Sequence, residues 1–138
     1  MESVDAVRDH DAVVSVIVQM YQALGDRPEF DRHLHQAITI WESDAHEMLQ
    51  GTAQLDALRD RRAAVARHPH QPAAVVAPES IRVDVWGDTA VARYNLKASY
   101  EAVARRDESF RVTDVLRRSG ERWLIVHHHS EAMARTVT

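Results

Sequence analysis

Near the C-terminal end of the chain the triplet His127-His128-His129 is followed by Ser130. Imidazole changes charge near neutral pH, so such residues serve either proton transfer or metal ligation. The run from Arg122 to Ser130 has strand character, and in a strand residues two apart share a face. Strict alternation puts His128 and Ser130 on one side with Leu124 and Val126, and His127 and His129 on the other with Trp123 and Ile125. Only two imidazoles then share a face, and the chain has no cysteine to add a thiolate, so no metal is expected. The lack of cysteine also removes disulfides and thiol nucleophiles. Proton transfer by histidine is the chemistry left to consider.

A second chemical candidate lies in the helical run that begins at Gly51-Thr52. Arg62 falls among Leu55, Leu58 and Ala66 on the apolar face of that helix, with Arg59 at one edge. A guanidinium there needs a partner. It is either an ion-pair carboxylate, with Glu42, Asp44 and Asp114 as candidates, or an acidic or carbonyl part of a ligand.

These residues need a scaffold. With 138 residues, 45% of them hydrophobic, the chain can bury one core and predicts a single domain spanning 1–138. The net charge of -4 and the scattering of Arg among acidic neighbours give no basic stripe for phosphates, so nucleic acid is not an expected partner. No apolar run approaches the ~20 residues of a membrane span, and the start is acidic rather than basic, so no membrane partner and a cytoplasmic location are expected.

Apolar residues at Val7, Val14, Ile17, Val18, Tyr21 and Leu24 predict one long amphipathic helix ending at Gly25. Asp26-Arg27-Pro28 predicts a fresh, short helix carrying Phe30 and Leu34. Ala37 to Glu42 reads as a strand, followed by the helix from Gly51 to about Ala66. Segments from about 73 to 86, 89 to 103, 109 to 118 and 122 to 130 then read as an antiparallel meander, turned at Gly87-Asp88 and Ser119-Gly120. Segregated helices and antiparallel strands make an α+β domain.

That order, with the closing run Arg111 to Ser130, resembles the SnoaL-like branch of the nuclear transport factor 2-like superfamily. The final hairpin carries most of the resemblance: basic residues before a glycine turn, a tryptophan on the return, then a histidine-rich end and a serine. The resemblance implies a cone-shaped, curved antiparallel sheet wrapped around the long N-terminal helix and enclosing a pocket. Relatives include ketosteroid isomerase, scytalone dehydratase, polyketide cyclases and non-catalytic association domains, so the fold leaves chemistry open.

By similarity, the last-strand pocket position falls at Ser130, which turns His128 and Ser130 inward, and hairpin parity brings Asp114 to the same side. An inward carboxylate beside an inward imidazole would orient the ring and raise its basicity for proton transfer. His128 and Asp114 are thus the candidate catalytic pair, and Arg62, Trp41, Ser130, Tyr21 and Asp44 the candidate ligand-binding residues. Trp41 stands where the isomerase pattern has its catalytic aspartate and is expected to form an aromatic wall instead. Tyr94 and Tyr100 are further wall candidates. The expected partner is a small organic molecule with an acidic or enolate-like part near Arg62, handled as by an isomerase, dehydratase or cyclase without a cofactor. The alternative is a non-catalytic binding or association domain. An outer sheet face carrying Val115, Trp123 and Ile125 would expose an apolar patch, and a homodimer through it is expected.

Overall fold

The computed structural model describes residues 4–65, 75–100 and 107–134. Helix α1 spans Val4–Gln22 and buries Val13, Ile17, Met20 and Tyr21, which are spaced by four, three and one and so line one face. This face is rotated from the predicted stripe, since Val7 and Leu24 are exposed. Ala12, Val13, Val14, Val16, Ile17 and Val18 make the middle of the helix apolar nearly all round, so the pattern alone did not select a face. Gly25, at φ 99°, takes the left-handed turn that ends this segment.

Helix α2 is short, Arg27–Asp31, capped by the Asp26 side chain accepting from the Glu29 amide. It ends before Leu34, which was predicted to belong to it. Leu34 instead opens strand β1, Leu34–Trp41, whose Leu34, Ile38 and Ile40 are buried. A two-residue strand β2, Leu49–Gln50, leads into helix α3, Gly51–Val65. Strands β3 (Val75–Trp86), β4 (Thr89–Ser99), β5 (Glu108–Ser119) and β6 (Arg122–Ala132) follow.

The sheet order is β2-β1-β6-β5-β4-β3. The last four strands form the expected antiparallel meander, and β1 joins it alongside β6 in parallel, so the curved sheet is mixed. Its concave side holds α1 and the core, including Ile17, Met20, Ile38, Leu116 and Ile125.

A bulge in β6 decides which side chains point into the cone. In β5–β6 pairing, Leu116 faces Ile125 but Val115 faces His127, so Val126 is an extra residue on β6. The period of two is broken there. Trp123 and Ile125 before the bulge and His128 and Ser130 after it therefore all turn inward. Trp123 and Ile125 are buried core residues, which corrects their assignment to the outer face; the inward placement of His128 and Ser130 stands. No helix of the described residues is long and apolar enough to cross a membrane.

Candidate functional site

Between the C-terminal half of α1, α3 and the concave sheet lies a cavity of about 330 Å³. Its walls are mainly apolar, from Met20, Leu34, Ile38, Leu55 and Ile125 among others, and its polar groups are few. This is the usual make-up of a small-molecule site.

His128 lines the cavity. It sits directly across from Asp114 in the β5–β6 ladder, and its Nδ1 lies 2.6 Å from the Asp114 Oδ1. Asp114 is wholly buried, whereas the His128 side chain keeps 16% of its surface exposed. The second carboxylate oxygen accepts from the Tyr94 hydroxyl at 2.6 Å. Tyr94 is on β4, where it shares a face with Ala92, the residue paired with Asp114. The small Ala92 side chain leaves room for this diagonal contact. The hydroxyls of Tyr94 and Tyr21 are 2.8 Å apart. Since Tyr94 donates its proton to Asp114, its oxygen accepts from Tyr21. The chain of donors therefore runs Tyr21 to Tyr94 to Asp114, and the carboxylate's other oxygen takes the Nδ1 proton of His128. That leaves Nε2 of His128 as the atom free to exchange a proton with a bound molecule.

Electrostatics fix the charge states along this line. Burial, and then the charge of Asp114, push both tyrosine hydroxyls well above their ordinary pKa, so they stay neutral donors. For His128, burial pulls the pKa down, but the charge of Asp114, its hydrogen bond and the charge of Glu42 outweigh it. The net shift is upward. The protonated ring is thus stabilised relative to a free imidazole by the buried carboxylate beside it.

Ser130 also lines the cavity, and its hydroxyl donates to the Glu42 carboxylate at 3.3 Å. Glu42 lines the cavity as well. The sequence offers it as an ion-pair candidate for Arg62, although Ile38, Ile40 and Glu42 share parity and the two isoleucines read clearly as core. Trp41 has the opposite parity. Its side chain is 47% exposed and packs against the His129 ring at 5.9 Å on the convex face, so Trp41 is not a cavity wall. His127, also on that face, bonds Thr39 at 2.6 Å, and burial followed by the charges of His128 and His129 lowers its pKa. Among the described residues no group of three His, Cys, Asp or Glu gathers as a metal site.

The arginines exchange their expected places. Arg62 reaches the cavity mouth, but its side chain is 47% exposed and pairs with Asp44 at 3.2 Å. Asp44 is exposed and does not line the cavity. Arg59 is the one turned inward, with 18% exposure. Its guanidinium meets both oxygens of Asp31 at 2.9 Å and lies 5.3 Å over the Phe30 ring. The inward face of α3 centres on Leu55 and Arg59, one turn apart, and Arg62 lies at its margin. Tyr21 is a wall residue as expected, and so is Tyr100; Tyr94 lies behind the wall, holding Asp114.

No curated protein sequence matches the chain, but solved structures match its fold. An NTF2-like protein of unknown function from Pseudomonas putida superposes with a TM-score of 0.79 at 19% identity, over 92% of this chain and 88% of that one. The CaMKII hub of S. rosetta gives 0.74 at 19% identity, over 90% and 96%. A Parabacteroides distasonis protein named for ketosteroid isomerase gives 0.69 at 18% identity, over 88% and 85%. At these identities the likeness is one of fold. The sequence itself matches the SnoaL-like domain over residues 13–135, nearly its whole length, and the chain belongs to that family.

Proposed function

We propose that the cavity binds a small organic molecule and that His128, oriented by Asp114, exchanges a proton with an oxygen of that molecule, in the manner of an isomerase, dehydratase or cyclase that uses no cofactor. The observation that carries this reading is the Asp114–His128 contact of 2.6 Å at the wall of a mainly apolar cavity. The imidazolium would present Nε2–H to a carbonyl, hydroxyl or enolate oxygen, and the neutral ring left behind would serve as base for the return step. Tyr94 and Tyr21 would hold the carboxylate in place. The acidic ligand expected from Arg62 finds less support, because Asp44 already matches that charge.

The test starts with mass-spectrometric identification of whatever the purified protein retains, followed by a turnover assay on that compound. His128→Gln should lower turnover by about 10²–10⁴-fold while retaining the ligand, since glutamine keeps a polar group of similar reach but cannot shuttle protons. Equal turnover in the variant would remove His128 from the chemistry. A folded protein that binds a ligand unchanged would favour the non-catalytic reading, which the fold shared with a CaMKII hub also supports.

A homodimer through the convex face belongs to the same proposal. With Trp123 and Ile125 in the core, that face is built from Val115, Leu124 and Val126, which are half-buried, and the exposed Trp41. Such a patch favours pairing. Light scattering at micromolar protein should give twice the chain mass, and Leu124→Asp should reduce it to the chain mass. A wild-type monomer at every concentration would count against the interface.

A further inference from the structure

The cavity's charges are unevenly satisfied, and the imbalance points to the kind of molecule that fits. Each cationic group at its wall already has a carboxylate of its own: Arg59 has Asp31 and Asp56, Arg62 has Asp44, and His128 has Asp114. Glu42 differs. Among the described residues it has no arginine, lysine or histidine within ion-pair distance, and its hydrogen-bond partner is the neutral Ser130 hydroxyl at 3.3 Å. A carboxylate at the wall of a mainly apolar cavity with no ion pair of its own can receive a ligand's positive charge without displacing an existing partner.

The rest of the wall suits a cation with an apolar body. Besides Phe30, whose face Arg59 already covers, Tyr21, Tyr100 and Phe110 contribute rings to the lining, and aromatic rings attract ammonium groups through their quadrupole. The cavity volume of about 330 Å³ lies at the small end of ligand sites. The chain's net charge of -4 favours the approach of cations over anions. An acidic ligand would have to displace Asp44 or Asp31 from an arginine, or sit beside Glu42 without compensation.

From this arrangement we infer that the cavity selects a small amine, its ammonium group held by Glu42 and its apolar or aromatic body lying among the ring side chains. The inference rests on the reading of the cavity as a small-molecule site and names the ligand's charge class. With the ammonium on Glu42, an oxygen elsewhere on the same molecule can reach Nε2 of His128, so the two polar groups divide binding and proton exchange between them.

Three probes that share a phenylethyl body and differ in charge separate this from its alternatives: 2-phenylethylamine, 2-phenylethanol and 3-phenylpropanoate, titrated at pH 7 into wild type and Glu42→Gln, with binding followed by amide NMR shifts. The amine should bind wild type roughly tenfold or more tightly than the anion, and more tightly than the alcohol. Glu42→Gln should abolish the preference for the amine over the alcohol while leaving the alcohol's affinity within about twofold, since the cavity's shape is kept. An anion bound as tightly as the amine, or an amine preference that survives Glu42→Gln, would overturn the inference and leave the small-molecule reading standing. Failure of all three probes to shift any cavity resonance would contradict that reading and the inference together.

Discussion

Replacing Asp114 by alanine should lower stability by about 3–5 kcal/mol, a fall in Tm on the order of 10–15 °C for a chain of this length. The carboxylate is fully buried and is the common acceptor for Tyr94 and His128. Its loss leaves the Tyr94 hydroxyl and the His128 Nδ1–H without their shared acceptor, and each such group carries a desolvation cost with nothing to offset it. Asp44→Ala is the fitting control, because the Asp44–Arg62 pair is exposed and should change stability by no more than ~1 kcal/mol. The pH dependence should differ as well. His128 has a raised pKa in the folded state, so its protonation adds stability below the ordinary histidine value, and that contribution is lost as pH rises through the raised one. Asp114→Asn, which keeps the shape and removes the charge, should flatten or reverse the slope in that window. Thermal melts across pH 5–9 measure both effects; an Asp114→Ala Tm within a few degrees of wild type would mean that the pair is not buried as described.

The second large effect concerns the bulge in β6. Ile125→Asp should abolish folding: Ile125 is fully buried at the centre of the concave face, and an unpartnered carboxyl there, even protonated, adds a desolvation cost of several kcal/mol to the lost apolar burial, comparable to the ~5–15 kcal/mol of stability typical of a domain. Leu124→Asp, one residue earlier and on the convex side, should fold with a native circular dichroism spectrum. Strict alternation from His128 back along the strand gives the opposite expectation, with Leu124 intolerant and Ile125 permissive. The pair of variants therefore reads the bulge at Val126 directly, and a folded Ile125→Asp with an unfolded Leu124→Asp would place the strand in the wrong register.

That bulge also marks where the sequence ceased to be legible. Glycine turns at Gly87 and Gly120 and the β-branched runs around them were enough to place the four strands of the meander and most helix ends, because those signals are local. The inward position of His128 and Ser130 came from likeness to the family, whereas carrying alternation back from them put Trp123 and Ile125 outside; an inserted residue has no local sequence signature. The rotated face of α1 has a similar origin, since a helix apolar nearly all round reveals its buried side only against a partner. Arg62 was placed on the inner face of α3 from Leu55, Leu58 and Ala66, but among the described residues of that helix the buried one is Leu55, and the arginine one turn beyond it, Arg59, is the inward one. Glu42 was legible in principle from its parity with Ile38 and Ile40, both core residues of β1. The Tyr94 hydrogen bond to Asp114 spans β4 and β5 diagonally and depends on the small Ala92, a relation visible only once the strands are paired.

The direct test of the account is the titration of His128 by NMR, in wild type and in Asp114→Asn, with the ring resonances assigned through His128→Gln. The account requires wild-type His128 to titrate above the ordinary histidine value, because the carboxylate at 2.6 Å and Glu42 outweigh burial. It also requires His128 to fall below the wild-type value once the charge on residue 114 is removed, with burial then acting unopposed by that charge. A His128 that titrates at or below the ordinary value in wild type and does not respond to Asp114→Asn would contradict the pairing, and with it the assignment of His128 as the cavity's proton-exchanging group.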